Sequence, residues 1–132
     1  MVDLVFVDPV RVGEIWPRVA PLLKSAFDRT GLGAFSDLER CVLSGRSLVW
    51  LAWSDRIEAA ASTILLRADA GLVCEITACG GANMHHRLPL EEIEAYARRE
   101  GCVCTRITGR KGWLRVLDGY RQKHIIMDKD LG

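Results

Sequence analysis

The sequence predicts an α+β fold: a mixed, mostly antiparallel sheet with one parallel crossover, flanked by helices. Three observations predict it. Residues 71–101 read as an apolar strand, a Gly-Gly turn and a helix that stops at a glycine. A short strand follows at once over residues 102–107, and strand, helix, strand in that order implies a parallel pair. Upstream, Ser47–Trp53 and residues 57–67 flank a tight Ser54-Asp55-Arg56 turn, which is a hairpin signal.

The elements follow in order. Residues 3–8 alternate Leu4 and Phe6 against Val5 and Val7, a short strand. Asp8-Pro9 then starts a helix, with Asp as cap and Pro in the first position. Val12, Ile15, Trp16, Val19, Leu22, Leu23, Ala26 and Phe27 form one apolar stripe, interrupted by Pro17 and Pro21. A kinked helix or two helical pieces are expected, ending near Arg29. A second helix runs from a Ser36 cap through Leu38 and Val42 to Gly45. Asp69-Ala70-Gly71 turns the chain into the strand expected to be central. There Val73, Glu75, Thr77 and Cys79 share one face, Leu72, Cys74, Ile76 and Ala78 the other, and Cys79-Gly80-Gly81 ends it. The next helix carries Glu91, Glu92 and Glu94 early and Arg98 and Arg99 late, which suits the helix dipole. Residues 113–117 read as a short helix stopped at Gly119, and residues 121–128 as a last strand centred on Ile125, Ile126 and Met127.

The chain has 132 residues, 49% hydrophobic and 27% charged, which fits one soluble domain over residues 1–132. A net charge of +1 predicts no global attraction to nucleic acid or to a membrane. The charge is uneven: residues 1–100 carry 11 Lys/Arg against 14 Asp/Glu, and residues 101–132 carry 7 against 3. No stretch is apolar for the roughly 18 residues of a membrane span, and the N-terminus lacks a signal-peptide pattern, so a cytoplasmic protein is expected. Five cysteines form no Cys-x-x-Cys pair, which predicts reduced, buried thiols and no bound metal. Cys79 with His85 or His86 is the one set with zinc-ligand chemistry, and it lacks the paired spacing of structural zinc sites.

The element order, the segment EIEAYARREGC followed by CTRITG, and GWLRVLDGYR near the end carry a resemblance. The chain resembles the GNAT superfamily of acyl-CoA-dependent N-acetyltransferases. Gly119-Tyr120 stands where that family has Gly-Phe, and one strand follows the last helix where it usually has two. With its early Ile15-Trp16-Pro17, the chain looks especially like small phage and prophage proteins of this type.

The resemblance implies N-acyl transfer from acetyl-CoA, by direct attack of a small-molecule or protein amine on the thioester. Glu75 is the implied general base, and Tyr120 a candidate acid for the leaving thiolate. The family's usual acid position falls on Arg115, and its strand-five Asn on Thr108. The backbone at Ile76, Ala78 and Cys79 would pair with the pantetheine arm. Gly80, Gly81, Asn83 and Arg87 would face the coenzyme's phosphates. The family's pyrophosphate motif falls on Gly81-Ala82-Asn83-Met84-His85-His86, where Met84 and His86 replace small residues. Side chains there crowd the phosphates, so weak coenzyme A binding is expected. His85-His86 could also contact phosphate or shuttle a proton.

A second function class remains open. Arg106, Arg110, Lys111, Arg115, Arg121 and Lys123 form a basic cluster with Trp113 and Tyr120 among them. A degenerate, non-catalytic protein of this fold could act through that basic C-terminal face as a binding or structural module. Its partner would then be a phage or prophage protein.

Overall fold

A computed structural model describes residues 3–81, 90–109 and 117–132. Among the described residues, five strands form one sheet in the order β1-β2-β3-β4-β5. They are β1 (Asp3–Val7), β2 (Ser47–Trp53), β3 (Ile57–Ala68), β4 (Gly71–Gly81) and β5 (Cys104–Ile107). The first four pair antiparallel, and β5 lies parallel to β4. The helices are α1 (Val12–Thr30), α2 (Phe35–Leu43) and α3 (Glu91–Arg99), the last joining the two parallel strands. This is the predicted mixed sheet with one crossover. Among the described residues, no helix is long and apolar enough to cross a membrane.

Each face of the sheet has its own core. On one face, Val12, Trp16, Val19 and Leu23 of α1 and Leu38 and Val42 of α2 pack on Val49, Leu51, Ala60 and Ala78. On the other, Leu90, Ile93 and Ala97 around α3 pack on Trp50, Ala61, Cys74, Ile76 and Cys79. Trp50 also lies edge-on to Tyr96, with ring centroids 5.5 Å apart, and gives its indole N–H to Thr63 Oγ1 at 3.0 Å.

Asp8 caps a 3-10 turn at Pro9–Arg11 by accepting from the Val10 N–H at 3.0 Å, and α1 follows directly. Of the two expected forms, two helical pieces are ruled out: α1 runs on through Pro17 and Pro21, both exposed. Each proline lacks an N–H, but on the outer side the carbonyls it fails to satisfy can turn to water. At the other end, Gly31 closes α1 in the left-handed conformation (φ 63°). The Trp16 indole N–H donates to Glu39 Oε2 at 2.8 Å and ties α1 to α2.

Several expectations are corrected. Ser36 lies inside α2, whose N-cap is Ala34, because the helix takes up Phe35 against Trp16 and Phe27. The β4 strand runs through Gly80 and Gly81 instead of ending at Cys79, because these glycines pair with Ala60 and Ala59 of β3. Residues 121–128 form no strand and lie exposed. The cysteines are free, but only Cys74 and Cys79 are buried; Cys41 and Cys102 are half-buried and Cys104 is exposed. The helix read at residues 113–117 falls largely outside the described residues.

Candidate acyl-transfer site

β4 and β5 part company. Their ladder runs from Val73↔Cys104 to Ile76↔Ile107 and stops there. β4 continues to Gly81 and stays paired with β3 on its other side. Among the described residues, the β4 edge over residues 77–81 therefore has no strand beside it where β5 would lie. A strand edge of this kind presents unpaired backbone N–H and C=O groups to whatever enters.

A β-bulge sits at the parting. Ser62 pairs with Ala78 while Thr63 pairs with Ile76, so Thr77 is the extra residue. Its hydroxyl lies 2.6 Å from the Ser62 hydroxyl and donates to the Ser62 carbonyl at 3.2 Å. The inserted residue corrects the predicted two-face assignment. Cys74 and Ile76 face α3 as strict alternation requires, but beyond the bulge Ala78 faces α1 and Cys79 faces α3.

Gly80 then faces α1. A Cβ at that position would overlap the Leu22 carbonyl oxygen and lie 3.1 Å from Ala26 Cβ. Gly81 has φ 149°, and its Cβ would come within 2.5 Å of Ala59 Cα. Both glycines are thus required by close packing at the far end of the open edge.

Glu75 is half-buried, one pair short of the parting, with Arg106 beside it on β5 and Ile64 on β3. Its neighbours Cys74 and Ile76 belong to the α3-side core, so its own side chain takes the α1 face. Among the described residues it forms no ion pair.

Tyr120 lies elsewhere. Its hydroxyl donates to Glu94 Oε2 at 3.1 Å, and it shares a 2.6 Å hydrogen bond with Thr105 Oγ1. Thr105 pairs with Cys74, and Tyr120 packs against the α3-side core. Glu75 and Tyr120 therefore occupy opposite faces of the sheet, and the fold does not bring them together. The sequence reading missed Glu94, Thr105, Ser62 and Thr77. Their bonds join residues 15 or 26 positions apart, and no local pattern signals them. Ala78, Cys79, Gly80 and Gly81 lie along the open stretch of β4, whereas Ile76 is still paired with Ile107 of β5. Asn83, Met84, His85, His86 and Arg87 lie outside the described residues.

Burial is the main influence on the titratable groups that shift. It pushes the Cys79 thiol up to about 12 and the Cys74 thiol up to about 11, which keeps both protonated and unreactive at neutral pH. It also pushes Tyr120 up to about 12, with the nearby Glu94 carboxylate adding to the rise and the Thr105 hydroxyl opposing it. Tyr96 rises to about 12 through burial, then Glu100. These are the chain's two tyrosines. Folding raises their pKa above the ordinary 10, so the neutral phenols contribute stability that is complete below pH 10. That contribution is lost as pH climbs from 10 through about 12. An ultraviolet titration of the folded chain should show little tyrosinate at pH 10, where the urea-unfolded chain is half ionised. Equal ionisation of the two forms at that pH would contradict the burial described.

This architecture, with a parallel β4–β5 pair that separates around a β4 bulge, is the GNAT-type N-acetyltransferase fold. Solved structures share it along nearly their whole length. An aminoglycoside acetyltransferase from an uncultured soil metagenomic sample superposes with a TM-score of 0.70 at 14% identity, over 100% of this chain and 99% of that one. A putative acetyl transferase from Pyrococcus furiosus gives 0.70 at 13% identity, over 99% and 100%. A predicted acetyltransferase from Clostridium acetobutylicum, solved with acetyl-CoA, gives 0.64 at 12%, over 99% and 97%. At these identities the likeness is one of fold. No protein-family model matches the sequence. A search of curated proteins also finds no match.

Proposed function

We propose that the chain is an acyl-CoA-dependent N-acyltransferase-type protein acting on a small-molecule amine. The observation that carries this reading is the open β4 edge over residues 77–81, beside the bulge. The edge fits the coenzyme's pantetheine arm, whose amides need partners of the kind an unpaired strand offers. The backbone at Ala78 and Cys79, just past Ile76 as the last residue paired with β5, would hold that arm, and Gly80 and Gly81 continue the same edge. Asn83 and Arg87 are the proposed phosphate contacts. When bound, acyl-CoA supplies the activated acyl thioester. Glu75 would take a proton from the attacking amine, since the residue stands one pair from the parting. Tyr120 is the second candidate group. Its neutral phenol is a proton donor now engaged with Glu94, so serving a leaving thiolate requires it to exchange that bond. The acceptor class is supported by the neighbours, one of which is an aminoglycoside acetyltransferase solved with sisomicin.

The family resemblance puts small residues where Met84 and His86 stand, so the affinity is expected to be low. A dissociation constant above about 100 μM corresponds to under roughly 5.5 kcal/mol of binding. Amide NMR with millimolar acetyl-CoA tests the reading. The expected result is progressive shifts confined to residues 76–81 and the segment that follows. No shift at millimolar ligand, or shifts only at the β1 edge, would overturn it and favour the non-catalytic module.

A further inference from the structure

We propose that Thr77 Oγ1 is a second anchor for the acceptor's ammonium group, beside the Glu75 carboxylate, and that buried Ser62 sets it to accept a hydrogen bond and not to donate one. The inference rests on the acyltransferase reading and names the group that selects the amine. Its starting point is the placing of two protons. The Thr77 hydroxyl donates to the Ser62 carbonyl at 3.2 Å. It also lies 2.6 Å from the Ser62 hydroxyl, a contact in which either oxygen could be the donor. Ser62 is 0% exposed, and among the described residues its hydroxyl has no other partner. The Ser62 proton therefore goes to Thr77, since a buried donor left without an acceptor is costly. Thr77 Oγ1 then has its own proton on the Ser62 carbonyl and one lone pair taken by Ser62. One acceptor position is left, and whatever meets it must bring a donor.

The place of that acceptor position gives it a use. Ser62 stands two residues after Ala60 on β3, and Ala60 packs on the α1 side. The Ser62–Thr77 pair thus lies on the α1 face, which is also the face of Glu75. Ser62 is buried while Thr77 and Glu75 are half-buried, so Thr77 is the member of the pair that a solute can meet. Thr77 is the extra residue of the bulge, one step beyond the last pair with β5. Residues two apart on a strand stand about 7 Å from each other. The flexible glutamate arm can close that gap to the roughly 5 Å that one tetrahedral nitrogen bridges with two hydrogen bonds of about 2.9 Å. A primary or secondary ammonium has the two N–H groups this needs. An alcohol has one O–H and satisfies only one of the two acceptors, and a quaternary ammonium satisfies neither. The pair of acceptors therefore selects an amine over an alcohol.

NMR titration of the full chain with sisomicin, an aminoglycoside carrying several ammonium groups, tests this, with acetyl-CoA titrated separately. The expected result is a saturable shift of the Thr77 methyl signal on adding sisomicin. Thr77→Val keeps the shape and removes the acceptor. Followed through the amide shifts, it should bind sisomicin about tenfold to a hundredfold more weakly, the scale of a hydrogen bond to a charged group. Thr77→Ser should recover most of that affinity. Thr77→Val also strands the buried Ser62 hydroxyl and should lower the melting temperature. Changing Ser62→Ala as well removes the stranded group, so the double variant should melt close to the parent and still bind as weakly as Thr77→Val. A Thr77 methyl unmoved by sisomicin, or a Thr77→Val protein that binds like the parent, would overturn the proposal. So would affinity that returns in the double variant, which means that the hydroxyl serves folding alone. The acetyl-CoA titration reports on the acyltransferase reading by itself: β4 amides that do not move remove the coenzyme, and the Thr77 response to sisomicin still decides the amine site.

Discussion

Gly80→Ala should destabilise the chain by about 3 kcal/mol, the upper end of what overpacking a well-packed site costs. The added methyl meets the Leu22 carbonyl of α1 and lies 3.1 Å from Ala26 Cβ. The first obstacle is helix backbone and cannot swing aside as a long side chain would. Either α1 moves outward or β4 bends, and both loosen the core formed by Val19, Leu23 and Ala78. In a chain of this size the melting temperature should fall by roughly 10 °C. Gly13→Ala is the control. Gly13 lies in the first turn of α1 with nothing within 4 Å of an added Cβ. That change should raise stability, by up to about 1 kcal/mol, through helix propensity and a less flexible unfolded chain. Urea melts of both variants decide the matter, and a Gly80→Ala protein as stable as the parent would refute the close approach of α1 to β4.

Trp50→Ala should cost about 3–5 kcal/mol, enough to bring a domain of ordinary stability near its threshold. Trp50 is 4% exposed and joins four elements. It contacts Phe6 of β1 at 5.7 Å and Tyr96 of α3 at 5.5 Å between ring centroids, and it bonds Thr63 of β3 from its own place in β2. Trp50→Phe separates the two contributions. It keeps an aromatic ring but leaves the Thr63 hydroxyl, itself 1% exposed, without the indole donor. The expected loss is about 1–3 kcal/mol, and pairing the change with Thr63→Val should recover part of it. Equal losses for Trp50→Phe with and without Thr63→Val would show that the hydrogen bond has no part in the effect.

Much of the fold was legible because it rests on local chemistry. The β2 strand announced itself by its Val, Trp and Leu content, and the β2–β3 turn by Ser54-Asp55-Arg56, where the Ser54 N–H donates to the Arg56 carbonyl. The crossover helix was marked by its charge order and by Gly101, which has φ 81°. What escaped reading depends on distant partners. Alternation carries no sign of one extra residue, so the bulge at Thr77 and the opposite facing of Ala78 and Cys79 could not be seen. Gly80 and Gly81 were read as a turn by their type, whereas their role is to let α1 and β3 come close. Ile125-Ile126-Met127 has the composition of a strand, but composition provides no neighbour to pair with. For the candidate site, Glu75 and residues 76–79 were expected on one strand, and they lie together in β4. The Tyr120–Glu94–Thr105 contact joins three separate elements and had no local signature.

The two prolines of α1 have a consequence for how the molecule assembles. An interior proline costs a helix about 3 kcal/mol relative to alanine, so Pro17 and Pro21 together set about 6 kcal/mol against α1 as a free segment. Short helices are marginal in water even without such a handicap. Residues 12–30 therefore cannot nucleate folding as an autonomous helix. Their conformation is imposed by docking Trp16, Val19 and Leu23 on a sheet surface that already exists. The β2–β3–β4 meander, closed by two tight turns between neighbours in sequence, is the part able to form first. In this chain the early helix in the sequence is a late helix in time.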